Sequence, residues 1–302
     1  MECAHGTCCR AGNTLGSVRI ALAVDIGGTK LAAGLVADAG EVLASASAPT
    51  VAGSADALFD MLLGVIGEVR GEGEPAVCGV GCGGPMAAGG ETVSPLNISV
   101  WRDFPLRSRL ASATGLATFV DNDAKALALG EGWKGAAAGE RDFLAMVVST
   151  GVGGGIVLDG RLLDGAGGNA GHIGHVCVEP DGRRCVCGAQ GCLEAEASGT
   201  AIAAWTGRPA AEAGPDVVAR TGRLVGRAVA SVANLLDLRL AVVAGSVALG
   251  YGEPFFAAAQ AELDAQARLS FAAGARIVPA GLGAGGPLVG AAAVGWRGLG
   301  RL

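Results

Sequence analysis

Twice in this chain a β-compatible apolar run stops at a glycine-rich turn and then resumes as a second apolar run. Residues 19–24 lead into Asp25-Ile-Gly-Gly-Thr-Lys30, and 31–36 continue as a strand before Asp38-Ala-Gly40 turns again. About 125 residues later, 143–148 lead into Ser149-Thr-Gly-Val-Gly-Gly-Gly155, and 156–158 continue before a turn at Asp159-Gly160. Such an internal repeat predicts two related α/β halves, each opening with a hairpin whose Gly turn faces a shared cleft. Between the hairpins, the periodicity predicts helices over 55–69, 124–135, 199–206, 215–236 and 254–271, and a buried strand over 240–244. The halves divide near 119–122, where an apolar strand runs into polar residues.

At 302 residues the chain is long enough for two domains with real cores, and with 51% hydrophobic against 17% charged residues it folds over most of its length. The 53 Gly have no three-residue period, which excludes collagen and assigns them to turns and ligand loops. A net charge of −6, and basic residues that form no cluster, argue against a nucleic-acid surface and leave a small molecule as the default partner. Nine Cys, an odd number, five of them (Cys78, Cys82, Cys185, Cys187, Cys192) beside Gly-rich turns, fit a reducing compartment, and the chain reads as cytoplasmic. Residues 1–18 lack the apolar core of a secretion signal and read as a disordered tail, in which His5 among Cys3, Cys8 and Cys9 is too loosely held for a rigid metal site. The uncharged stretch over 277–296 is long enough for a bilayer but is broken by Gly and Pro. It reads as a Gly-rich loop leading into a buried Ala helix, with no membrane role.

A phosphate needs backbone N–H groups aimed at it from close range, and glycine permits both the approach and the dihedrals. Gly79-Val-Gly-Cys-Gly-Gly84 only loosely matches a dinucleotide fingerprint: Pro85 follows at once, and no acidic residue stands at a ribose position about twenty residues on. No Gly-Lys-Ser or Gly-Lys-Thr opens a helix, so a P-loop is excluded as well. The two hairpin turns remain as phosphate clamps or as ordinary tight turns.

Five motifs, in order along the chain, carry a family resemblance. They are Asp25-Ile-Gly-Gly-Thr-Lys30, Asn122-Asp123-Ala124, Ser149-Thr-Gly-Val-Gly-Gly-Gly155, Gly171-His-Ile-Gly-His175 and Cys185-Val-Cys-Gly-Ala-Gln-Gly-Cys-Leu-Glu194. From about residue 19 onward the chain resembles the ROK family of sugar kinases and related regulators. The resemblance implies a two-domain, actin-like (ribonuclease H-like) ATPase fold with sugar and ATP meeting in the interdomain cleft, and commonly a homodimer. The small α/β domain would cover 19–121, with a C-terminal helix at about 287–302 packing on it. The large α/β domain would cover 122–286 and include a zinc loop at 175–192.

The resemblance also assigns residues. Asp123 would be the general base, orienting a sugar hydroxyl and taking its proton as phosphoryl transfer proceeds; read from the residues alone, Asp121, Asn122 and Asp123 are equally a helix cap. Gly84, Asn97, Asn122, His172, His175 and Glu194 would contact the sugar, although Gly84 and Asn97 also read as a plain turn. Gly27, Gly28, Thr29, Lys30, Thr150, Gly151 and Gly153 would cradle ATP phosphates, with Asp25 holding Mg²⁺ directly or through water. Gly245 and Ser246 resemble a nucleotide-side loop, and residues 282–288 resemble a purine-pocket lining. His175, Cys185, Cys187 and Cys192 offer one imidazole and three thiolates within 18 residues, a set that suits a closed, structural zinc; reduced cysteines in a Gly-rich turn are the alternative. Lys125 departs from the Asn usual at its position. The expected activity is ATP-dependent phosphorylation of the 6-hydroxyl of a hexose, glucose ahead of N-acetylmannosamine. His172 favours the latter, because glucokinases of the family usually carry Glu there. A sugar-sensing regulator is the other class, and it would carry a DNA-reading head ahead of the first strand, where only the short tail stands.

Overall fold

The computed structural model describes residues 18–51, 53–71 and 73–302. The tail reading and its Cys3, His5, Cys8 and Cys9 lie outside the described residues. The first hairpin is β1 (Ile20–Ile26) and β2 (Lys30–Ala37), extended by β3 (Val42–Pro49). These pair antiparallel, while β4 (Val77–Cys82) runs parallel to β1, and β5 (Thr118–Asn122) parallel to β4. The second hairpin is β6 (Phe143–Val148) and β7 (Val152–Leu158), extended by the short β8 (Arg161–Leu162). Here β9 (Leu240–Ala244) runs parallel to β6, and β10 (Arg276–Pro279) parallel to β9. The sheet orders, β3-β2-β1-β4-β5 and β10-β9-β6-β7-β8, are therefore one topology used twice. Each antiparallel meander lies on one side of its founding strand and two parallel strands lie on the other.

Parallel strands need crossovers, and the apolar periodicity supplies them. Helix α1 (Ala55–Arg70) joins β3 to β4, with the Ser54 hydroxyl accepting the Ala57 N–H at 3.2 Å. Its buried stripe includes Leu58, Phe59, Leu62, Val65 and Ile66, each worth about 1.5–3 kcal/mol of apolar burial. The short α2 (Leu106–Thr114) joins β4 to β5 and stops at Gly115, where φ is 71°. In the second half, α3 (Asp123–Lys134) leads from β5 to β6, and α4 (Leu193–Ala197), α5 (Gly199–Thr206) and α6 (Pro215–Leu236) separate β8 from β9. Then α7 (Ser246–Tyr251) and α8 (Glu253–Gln266) lead to β10, and α9 (Gly286–Gly298) closes the chain.

Three expectations change. The helix expected over 254–271 ends at Gln266, because Ala267, Ala272 and Ala275 turn back and bury in the second half's core. The second Gly run is mostly strand: the turn is confined to 149–151, and Gly153, Gly154 and Gly155 pair with Val147, Met146 and Ala145. Glycines suit that strand because α3 lies directly on it, so that a Cβ at Gly155 would come within 2.8 Å of Ala128 Cβ. Residues 282–288 do not form a continuous lining, since Leu288 is buried with α9 against the first sheet beside Ala21, Ala23 and Val77.

Helix α9 reaches that sheet only because β4 carries Gly79, where any Cβ would stand 2.0 Å from the Ala291 carbonyl oxygen. Thus α3 covers the second sheet and α9 the first, and the two helices pack on each other between the sheets, where a Cβ on Gly290 would come within 2.6 Å of the Ala126 carbonyl oxygen. Among the described residues no helix is long and apolar enough to cross a membrane.

Candidate active site

The C-terminal ends of β1, β4 and β5 bring Asp25, Gly81 and Asn122 to one edge, because Asp25 is in register with Gly81, and Gly81 with Asp121. Asp123 follows as the first residue of α3. Gly81 leaves the gap between the two acids open: a Cβ there would lie 3.8 Å from both Asp25 Oδ1 and the Asp123 Cα. The Asp25 carboxyl is raised from 3.8 to about 6, first by burial and then by the Asp123 charge, with Lys30 pulling the other way. Asp123 is exposed at this edge but has protein on most sides. Desolvation pushes its carboxyl up, against the Ala124 N–H that it accepts at 2.8 Å and the nearby His172.

The cap reading of this turn is realised alongside any other role, since Asn122 Oδ1 accepts the Ala124 N–H at 3.0 Å. That leaves the Asn122 amide directed toward Gly84, whose Cβ position is 3.5 Å from Nδ2. Asn97 packs directly on the first Gly turn: a Cβ at Gly28 would meet Asn97 Cβ at 2.5 Å. The same turn is tied down by Thr50, whose hydroxyl donates to the Gly27 carbonyl at 2.8 Å and whose N–H donates to the Thr29 carbonyl at 3.0 Å. Lys30 opens β2 with its side chain exposed. His172 and His175 are both exposed, with ring centroids 6.1 Å apart. Asp25, Gly27, Gly28, Gly84, Asn97, Asn122, Asp123 and His172 thus fall into one neighbourhood.

A second neighbourhood forms at the turn of the β6–β7 hairpin. The Ser149 and Ser246 hydroxyls are 2.9 Å apart, which brings the start of α7 to the turn. Gly245 has φ of 101° and no room for a Cβ, which would stand 2.3 Å from the Val148 carbonyl oxygen. The Thr150 carbonyl accepts the Thr200 hydroxyl at 2.9 Å, and Glu194 accepts the Val152 N–H at 3.0 Å. Gly151 sits in that turn, whereas Gly153 lies inside β7 facing Ala124 of α3, so its N–H belongs to a strand pair.

The ligand atoms of His175, Cys185, Cys187 and Cys192 all lie within 4.8 Å of one another. The Cys185 Sγ to His175 Nδ1 distance is 3.6 Å, and Cys187 Sγ to Cys192 Sγ is 3.7 Å. Those separations are the edges of a tetrahedron with bonds of about 2.0–2.3 Å, so the four residues fit zinc with no fifth position. Cys177, a sixth described cysteine that the motif spacing does not include, is paired through its backbone with Cys192 but lies outside the cluster. The far side of this loop is held by Glu196, which is fully buried and accepts from the Arg183 backbone and from the Arg183 and Arg220 guanidiniums. Burial acts to raise the Glu196 carboxyl, but those donors hold it below its ordinary range. No short motif marks Glu196, because its partners come from a loop and from α6.

A family model described as the ROK family matches residues 21–296. The chain belongs to the ROK family. Its doubled sheet is the actin-like ATPase architecture of that family. This ROK chain is 40% identical over 185 residues to the glucokinase of Thermotoga maritima, a match that covers 60% of this chain and 58% of that protein. The chain therefore spans less than two thirds of that relative's length. It is 36% identical over 250 residues to the N-acetylmannosamine kinase of Escherichia fergusonii, covering 76% of this chain and 84% of that one. Among solved structures, a ROK family glucokinase from Streptomyces griseus, in complex with glucose and AMPPNP, matches with a TM-score of 0.80 at 30% identity, over 92% of this chain and 99% of that one.

Proposed function

We infer that this ROK protein transfers the terminal phosphoryl group of ATP to the 6-hydroxyl of a hexose. The observation that carries the reading is the pair of acids across Gly81, one on a Gly-turn hairpin and the other at the start of α3, with both carboxyls raised by burial. Asp123 is the general base: it holds the attacking hydroxyl and accepts its proton as the phosphoryl group leaves ATP, the transition state depending more on positioning than on basicity. Gly84, Asn97, Asn122, His172, His175 and Glu194 hold and orient the sugar. Backbone N–H groups of Gly28 and Thr29, and of Thr150 and Gly151, cradle the phosphates, while Gly27, whose N–H donates to the Lys30 carbonyl at 2.9 Å, shapes the turn; Lys30 adds charge, and Gly245 and Ser246 close the nucleotide side.

Asp25 is a hard oxygen donor whose negative charge is poorly solvated, since burial and the Asp123 charge disfavour it, and a Mg²⁺ brought in with ATP would satisfy that charge. When bound, that ion neutralises charge on the phosphates. Zinc on His175, Cys185, Cys187 and Cys192 is structural, and through His175 and the following Glu194 it keeps two sugar contacts in register. A homodimer is part of this reading and is tested by sedimentation.

Glucose is the first substrate and N-acetylmannosamine the alternative, which His172 favours because a neutral imidazole accepts one hydrogen bond and donates another, unlike a carboxylate. A coupled ADP-release assay over glucose, N-acetylmannosamine, N-acetylglucosamine, mannose, fructose and allose tests the reading. DNA binding in gel shifts at physiological salt, with no turnover on any sugar, would replace the kinase by a regulator.

A further inference from the structure

Lys125 is buried, with its side chain only 4% exposed, two residues after Asp123 on α3. Its ammonium donates to Asp121 Oδ1 at 3.0 Å, Asp164 Oδ1 at 2.8 Å and the Gly168 carbonyl at 3.2 Å, which uses all three of its N–H groups. Arg297, from α9, takes the opposite oxygens of the same carboxylates, Asp121 Oδ2 at 3.3 Å and Asp164 Oδ2 at 2.7 Å. Two cations and two anions are thus closed on one another, the condition under which an ammonium can be taken out of water.

The group ties together β5, α3, α9 and the loop 163–171. That loop needs a tie. It contains Gly165, Gly167, Gly168 and Gly171, its tip is exposed, and its own bonds are few, such as Ala170 N–H to the Asp164 carbonyl at 3.0 Å. Glycine-rich backbone loses the most freedom on ordering, so a fixed conformation depends on contacts with the body of the protein. The loop ends directly at His172, whose ring lies near Asp123 and 6.1 Å, centroid to centroid, from His175. One side chain therefore links the helix that begins with Asp123 to the loop that delivers His172.

We propose that Lys125 is a positioning residue of the sugar side, clamping the 163–171 loop so that His172 stands at a fixed place beside Asp123. The inference rests on the kinase reading for its kinetic consequence but not for the clamp. Asp164 supports it: burial raises its carboxyl, yet the hydrogen bonds from Arg297 and Lys125 hold it below the ordinary range, so the loop end of the clamp is an anion at neutral pH.

The test is hydrogen exchange over 163–172 together with steady-state kinetics, for Lys125→Met and, in case that variant does not fold, for Asp164→Asn on the half-exposed loop. In Lys125→Met, Arg297 still bonds both carboxylates, which leaves one cation against two anions. Exchange in the loop should accelerate about tenfold, and the sugar KM should rise by about the same factor, with the ATP KM unmoved and kcat lowered less than about threefold. Unchanged exchange in both variants overturns the clamp. Accelerated exchange with an unmoved sugar KM reduces Lys125 to a structural tie and overturns the positioning role. If the wild-type chain phosphorylates no sugar, the kinase reading falls alone, because loop exchange does not depend on turnover.

Discussion

Glu194 Oε2 accepts the backbone N–H of Val152 at 3.0 Å, so a carboxylate that opens α4 holds the first strand residue after the β6–β7 turn. A Cβ on Gly151 would stand only 2.9 Å from the same oxygen. Glu194 is also the second residue after Cys192 of the cysteine cluster. One side chain thus connects the cysteine loop to the β6–β7 turn, and in the proposed function it joins the sugar side to the phosphate side.

Removing it with Glu194→Ala should therefore raise the KM for sugar and for ATP together, each by about tenfold, the worth of a charge-assisted hydrogen bond. Asn122→Ala should raise the sugar KM alone, since the Asn122 side chain accepts from Ala124 at the α3 start and lies beside Gly84, on the other side from the β6–β7 turn. An ATP KM unmoved in Glu194→Ala would refute the connection.

Asp123→Asn should abolish turnover while leaving sugar binding largely intact, because the amide keeps the shape of the carboxylate but cannot take the proton. A loss of about 10²–10⁴ in kcat is expected of a general base. Calorimetry with sugar alone measures the retained binding. More than about a tenth of wild-type kcat would remove Asp123 from that role.

Purified protein should contain one tightly held zinc per chain, and Cys187→Ser should lose the metal, melt at a lower temperature and lose sugar affinity. Cys187 is exposed, so the substitution itself disturbs no core packing, and the effect isolates the ligand. Metal analysis finding no zinc, or a fully active Cys187→Ser, would leave the cluster as reduced thiols.

Acid should act through Asp25. Its folded pKa of about 6 lies above the ordinary 3.8, so between those values the folded chain holds a proton that the unfolded chain has released. Stability from this group is therefore present at low pH and lost as pH rises through about 6. Without Mg²⁺, Asp25→Asn should gain more in melting temperature over wild type at pH 7 than at pH 5. Catalysis should run the other way, with kcat/KM falling below about pH 6 as the carboxylate proposed to hold Mg²⁺ protonates. Equal gains at both pH values would show that Asp25 is not perturbed.

His172→Glu should raise kcat/KM for glucose relative to N-acetylmannosamine, because a carboxylate accepts from neighbouring ring hydroxyls where an imidazole offers one acceptor. Parallel assays on the two sugars give the ratio. An unchanged ratio would move selectivity to the loop that carries Gly84 and Asn97.

The two hairpins, the helices over 199–206 and 215–236, the strand over 240–244 and the four-ligand cysteine loop were all legible in order along the chain, because each depends on neighbours within a few turns of sequence. Local chemistry sets a period of two or 3.6, a Gly turn or a Cys-x-Cys spacing, and the duplicated grammar already contained the duplicated sheet. What tertiary structure alone decided depends on partners far apart. Helix α3 makes strand of Gly153 and Gly155, and α9 claims Leu288 for a core instead of a ligand pocket. Asp164 and Arg297, 133 positions apart, meet over Lys125, and Glu196 finds its two guanidiniums in different elements. No spacing rule could announce those pairs, since buried charges are satisfied by whatever the packing of helices on sheets brings within hydrogen-bond reach.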